Sequence, residues 1–158
     1  MENTNSTSTT RNSKIIKATQ DVLYKALTDP VALAIWLAPG DMYGKVHHFD
    51  LRVGGGYVMS LFYPSSETTS RGKTSEKEDK FTARFIELTP PHKIVQAINF
   101  DSTDPAFAGE MIMEVTLEPK ETGTKITFLF KNIPPGIRPE DNEAGTLLTL
   151  EKLARYVE

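Results

Sequence analysis

The residues that could do chemistry fall in a few clusters. His47 and His48 are adjacent in a stretch that reads as a strand, so their side chains are expected on opposite faces and cannot readily share a metal. His48 and Asp50 share a face, and an i, i+2 pair supplies two ligands. A third has to come from elsewhere, and His92 sits in a turn, so solvated strand histidines are the simpler expectation. Asp50, Arg52, Arg84 and Glu110 also lie in strand-like stretches. Turned inward they would form acid–base groups with shifted pKa; turned outward, the commoner case, they are surface charges. The stretch SRGKT (70–74) is like the tail of a phosphate-binding loop, but Glu67 stands where that motif needs glycine, and no helix pattern follows. No G-x-S-x-G elbow occurs, and the absence of cysteine excludes disulfides, thiolate ligands and a cysteine nucleophile. Neither a metal nor a cofactor is expected.

The apolar pattern says more. Tyr57, Met59, Leu61 and Tyr63 alternate along one stretch, and Ile94, Ile98 and Phe100 along another. Met111, Met113, Val115 and Leu117 form a third row, and Ile126, Phe128 and Phe130 a fourth. Core packing accounts for most such residues. Methionine and aromatic rows facing a helix are also what an adaptable apolar pocket uses. The candidate lining is Tyr57, Met59, Leu61, Phe85, Ile98 and Phe100 on the first strands, with Met111, Met113 and Phe128 beyond them. Trp36, Thr146, Leu147 and Leu150 are added from the helices, with Phe107 at the rim.

Elements must position these side chains. MENTNSTSTTRN (1–12) is nearly all Ser, Thr and Asn and reads as a disordered leader; its Asn5-Ser6-Thr7 acceptor pattern carries no weight without secretion. Order is expected from SKIIKA (13–18), giving one domain over 13–158. Thr19 suits a helix N-cap, followed by Asp21 in the first turn and Val22, Leu23, Ala26 and Leu27 at helical spacing. Asp29-Pro30 ends that helix and opens a second, carrying Leu33, Trp36 and Leu37 up to Pro39-Gly40. It is too short to stand alone, so Trp36 is expected at the mouth or floor of the space under a longer helix.

Six strands follow as three hairpins: 43–53 with 57–63 about Gly54–Gly56, 80–88 with 93–100 about Pro90-Pro91, and 110–118 with 124–133. Residues 64–79 read as a charged, mobile hairpin tip. Pro139, Glu140 and Asp141 open a last helix whose apolar face is expected at Leu147, Leu150, Ala154 and Val157, with Leu153 beside them. This helix is the one element long enough to cover a curved sheet. The composition, 39% hydrophobic and 25% charged with net charge −3, is that of a soluble chain with no footprint for nucleic acid or anionic membrane. No apolar run approaches the ~20 residues of a membrane span, and no signal peptide is evident, so a cytoplasmic location is expected.

ATQDVLYKALTDPVALAIWLAP, FDLRVGGGYVMSL, FIELTPPHKIVQAINF, LEPKETGTKITF and the LARYVE ending occur in the order seen in the SRPBCC (START-like, Bet v 1-like, helix-grip) superfamily. The chain resembles in particular the branch named for its likeness to the C-terminal domain of the activator of heat-shock-protein-90 ATPase. The resemblance, over about 13–158, implies an α+β helix-grip fold: a curved seven-strand antiparallel sheet around a long C-terminal helix, enclosing an apolar cavity. It implies binding of an apolar or amphipathic small molecule, with a cyclase or lyase, or a chaperone-assisting interaction module, as alternatives. A monomer or homodimer is expected. Two departures stand out. The family's last helix opens Gly-Trp where this chain has Gly145-Thr146, and the activators' separate N-terminal domain and its Asn-Trp-His-Trp type motif are missing from this sequence, which weighs against chaperone stimulation.

Overall fold

The computed structural model describes residues 8–38, 40–63 and 78–158. Seven strands form one antiparallel sheet in the order β1-β7-β6-β5-β4-β3-β2. Strand β1 (Ser8–Ile16) leads into α1 (Gln20–Leu27) and α2 (Pro30–Trp36). Three hairpins follow, β2 (Tyr43–Asp50) with β3 (Gly56–Phe62), β4 (Glu78–Thr89) with β5 (Lys93–Phe100), and β6 (Met111–Lys120) with β7 (Gly123–Ile133). Helix α3 (Pro139–Val157) follows β7 and packs against β1 and the two short helices. The α+β helix-grip architecture expected from the sequence is the one observed.

Local chemistry explains the short elements. The Thr19 hydroxyl accepts from the Val22 amide at 3.2 Å and caps α1, and the Asp29 carboxylate accepts from Val31 at 2.9 Å and caps α2. Helix α2 has only seven residues and depends on packing through Ala32, Leu33 and Trp36. Gly44 of β2 makes that packing possible. A Cβ there would fall 2.5 Å from Met59 Cε and 3.3 Å from the Ala34 carbonyl.

Several boundaries differ from the sequence reading. Residues 8–12 are strand rather than leader, paired from Ser8↔Ile133 to Asn12↔Phe128. Their polarity misleads because Thr10, 4% exposed, faces α3 and donates to the Asn142 side chain there. Residues 1–7, with the glycosylation-like triplet, lie outside the described residues. So does 64–77, with SRGKT and most of the charged connection, but Glu78 and Asp79 already belong to β4. Strand β2 ends at Asp50, and Val22 is 46% exposed on the outer face of α1.

A bulge lies in β2, where Val46 pairs with Met59 and His48 with Val58, leaving His47 extra. Val46 and Phe49 therefore both pack inward, and His47 and His48 both face outward, correcting the opposite-face expectation.

The buried stripe of α3 is also rotated from the one expected. Thr146, Thr149, Leu150, Leu153 and Ala154 face the sheet, and Leu147 is 49% exposed. The threonines are tolerated inside because their hydroxyls donate to the Asn142 carbonyl at 2.7 Å and the Leu37 carbonyl at 3.0 Å.

The role of the first strand gives an expected result. Deleting residues 1–12 removes four paired positions of β1 and the buried Thr10 contact. Thermal unfolding should fall by roughly 4–8 °C, about 2 kcal/mol for a domain of this size. A shift under about one degree would mean that the segment adds nothing to the fold.

Candidate functional site

Strands β3 to β7, the first half of α3 and the α2–β2 connection line a partly open cavity of about 670 Å³. Of the expected lining, Tyr57, Leu61, Ile98 and Phe100 are in its wall, as are Met111, Met113, Phe128 and Thr146. Phe107, expected at the rim, and Phe130 join them.

Five expected residues do not line it. Met59, Phe85 and Leu150 are fully buried in the core and outside that lining, and Leu147 points to solvent. Trp36 is the main correction. It is fully buried, its indole N–H donates to the Ala26 carbonyl at 2.9 Å, and its ring meets the edge of Phe128 at 6.4 Å. A buried indole needs a hydrogen-bond acceptor, and the end of α1 offers a carbonyl without a helical partner, so the ring is drawn into the seam between the short helices. Trp36 backs the cavity wall without forming it.

The wall has a stiff part and a soft part. Tyr57, Phe81, Phe100 and Phe107 follow one another in edge-to-face contacts at 6.1, 6.4 and 6.3 Å. Such geometry fixes ring positions. Met111 and Met113 on β6 are flexible and polarizable by comparison. Polar groups are few. The Tyr57 hydroxyl donates to Gln96 Oε1 at 2.9 Å, and the Tyr63 hydroxyl to Asp79 Oδ2 at 3.1 Å.

Asp79 was missed because the sequence reading assigned it to the charged connection. Counting back by two from Phe81 along β4 would have placed it on the inner face. Thr149 and Asn142, also in the lining, fall outside the apolar stripe expected for α3 at Leu147, Leu150, Ala154 and Val157.

On the α2–β2 side the mouth is tied down from α3. Thr149 holds the Leu37 carbonyl, and the Lys152 ammonium donates to the Ala38 and Met42 carbonyls at 2.6 and 3.1 Å. Desolvation there, with a smaller contribution from Arg155, holds the Lys152 pKa below the usual lysine range.

The other sequence candidates lie outside the cavity. Arg52 and Asp50 pair at 2.8 Å, and Arg84 and Glu110 at 3.2 Å, all with well-exposed side chains, so they are surface pairs. The His47 ring meets the Ser60 hydroxyl at 2.9 Å on the outer face, and His92 meets Gln20 at 3.1 Å. Among the described residues, no group of three or more His, Asp or Glu could hold a metal ion, and no helix is long and apolar enough to cross a membrane. A second depression, about 540 Å³, lies near Lys17, Gln20 and the β6–β7 turn and is lined mainly by exposed turn residues.

Burial pushes the Tyr57 hydroxyl well above its usual value of 10.0, against a smaller opposing effect of Gln96. Below about pH 10 the group is protonated in folded and unfolded chains alike. Above it the unfolded chain releases the proton first and binds fewer, so stability falls as the pH rises. Urea unfolding from pH 9 to 11 should show this loss, and Tyr57→Phe should flatten it. An equally steep profile in the variant would show that other groups cause it.

A seven-strand antiparallel sheet with a long C-terminal helix and two short helices after the first strand defines a helix-grip protein. The chain belongs to the family described as activator of Hsp90 ATPase homolog 1-like protein, whose model matches residues 17–158. It is similar to protein CV1439 from Chromobacterium violaceum, with 32% identity over 96% of this chain and 98% of that one and a TM-score of 0.82. The protein Mll3558 from Rhizobium loti is 25% identical, with coverage of 94% and 95% and a TM-score of 0.72. An AHSA1-like protein from Aeromonas hydrophila shares the fold at 19% identity, with coverage of 95% and 92% and a TM-score of 0.71. No curated protein matches the chain.

Proposed function

We propose that the protein binds an apolar or amphipathic small molecule in the cavity between sheet and α3. The observation that carries this reading is the cavity itself, about 670 Å³ and walled by aromatic and methionine side chains. That volume suits a drug-sized or lipid-like molecule, and the lining suits an apolar body with few polar contacts. Native mass spectrometry of freshly purified protein tests it. A co-purified small molecule, or stoichiometric uptake of the neutral fluorescent probe N-phenyl-1-naphthylamine, is the expected result. Protein that is empty and takes up no probe would overturn the reading.

A second reading rests on the Asp79–Tyr63 pair, an ionisable group in the wall such as a cyclase or lyase of this fold would use. It requires pH-dependent turnover of a supplied substrate that is lost in Asp79→Asn. The family's description also raises chaperone assistance, which a pull-down of the cytosolic heat-shock protein tests.

A further inference from the structure

We infer that Gln96 is the polar anchor of the cavity, a hydrogen-bond donor to a neutral carbonyl oxygen on an otherwise apolar ligand, whose place the Met113 sulfur holds in the structure; this rests on the binding reading above. Gln96 interrupts an apolar row. It lies on β5, the central strand of the sheet, between Ile94 and Ile98 on the inner face. Across the ladder it stands opposite Phe85 on one side and Met113 on the other, and it is 3% exposed. An amide buried in that setting costs free energy unless its oxygen and both N–H groups find partners.

Among the described residues it has two partners. The Tyr57 hydroxyl donates to its oxygen at 2.9 Å, and its Nε2 reaches only the thioether of Met113 at 3.9 Å. Sulfur is a weak acceptor, and the second N–H has none among the described residues. Turning the amide over does not mend this. Nε2 would then donate to the Tyr57 oxygen, the Tyr57 hydrogen would lose its acceptor, and the amide oxygen would meet sulfur lone pairs. In both orientations a strong donor is left without an oxygen to receive it.

That shortage lies against the cavity. Tyr57 and Met113 both line it, and Gln96 stands behind them. Methionine is unbranched and flexible, so Met113 can move aside and bring Nε2 within reach of a ligand atom. What fits is an acceptor without charge. A carbonyl oxygen supplies lone pairs and nothing that needs a further partner. A carboxylate brought to one neutral amide would lose more hydration than the bond returns. Ketones and esters are the class indicated, with the hydrocarbon body against Ile98, Met111 and Phe128.

The experiment displaces N-phenyl-1-naphthylamine with 2-decanone and with 2-methyl-1-decene, which carries a methylene in place of the ketone oxygen and has nearly the same shape. Wild-type protein is compared with the paired variant Tyr57→Phe and Gln96→Met, which removes every hydrogen-bonding group of the pair at nearly constant volume. The ketone should compete at least about threefold less well in the variant, while the alkene competes equally or better. In wild-type protein the infrared carbonyl stretch of bound, carbonyl-labelled 2-decanone should lie at the lower-frequency, hydrogen-bonded position. Both compounds weakened alike would show that the pair acts through cavity shape and would overturn the inference. So would a ketone that the variant leaves unaffected, or a carbonyl stretch at the unbonded position in wild-type protein, the last whether or not the variant folds. In each of these cases the binding reading stands. Failure of the probe to bind the wild-type chain would instead remove the binding reading, and this inference with it.

Discussion

Replacing Trp36 with alanine should lower the unfolding free energy by about 3–5 kcal/mol, measured by urea denaturation. The side chain is fully buried, so most of the loss is burial and the void left behind. Part of it is polar. The indole N–H satisfies the Ala26 carbonyl in the last turn of α1, where helical partners run out, and alanine leaves that carbonyl buried without it. Trp36→Phe separates the two contributions, keeping much of the area and losing the hydrogen bond, for a cost of about 1–2 kcal/mol. A loss in Trp36→Ala below about 1.5 kcal/mol would show that the short helices do not depend on this contact. Since Trp36 stands behind Phe128, its emission should be that of a buried indole and should respond to cavity ligands only weakly.

Thr146→Trp should act on the cavity rather than on the fold. Thr146 is 6% exposed and lines the cavity from α3. A tryptophan covers of the order of 200 Å² of apolar surface, and the methionine pair on β6 can yield to it. Probe uptake should fall at least about tenfold, equivalent to 1.4 kcal/mol, with stability equal or higher. If the space is already filled, overpacking will instead cost about 1–3 kcal/mol and the probe will bind as before.

What was legible in the sequence follows from where local and tertiary signals agree. The hairpins could be placed because Gly54–Gly56, Pro90-Pro91 and the β6–β7 turn interrupt clean two-residue alternation, and the helix starts because Thr19 and Asp29 act through their nearest amides. Misreadings arose wherever a polar group finds its partner far along the chain. Thr10 looks like leader until Asn142, 132 residues away, is placed beside it. Thr149 looks like the polar side of a helix until the Leu37 carbonyl arrives.

The cavity lining was legible as a face but not as a depth. Met59 and Phe85 lie on the same inner face as Tyr57 and Leu61, yet they are fully buried in the core and line no space. Alternation says which way a side chain points; only the position of the covering helix says whether atoms or space lie opposite.

The tie between α3 and the α2–β2 connection has a kinetic consequence. Thr149 and Lys152, one turn apart, hold three carbonyls of that connection, two of them through an ammonium. Widening the mouth on that side requires these bonds to break together, which makes opening an occasional activated event rather than a continuous flexing. Exchange through that side would then run at the frequency of release of the tie. Two ligands that differ in affinity would enter at nearly the same rate, and a loaded molecule would hold its cargo for a time set more by the protein than by the cargo.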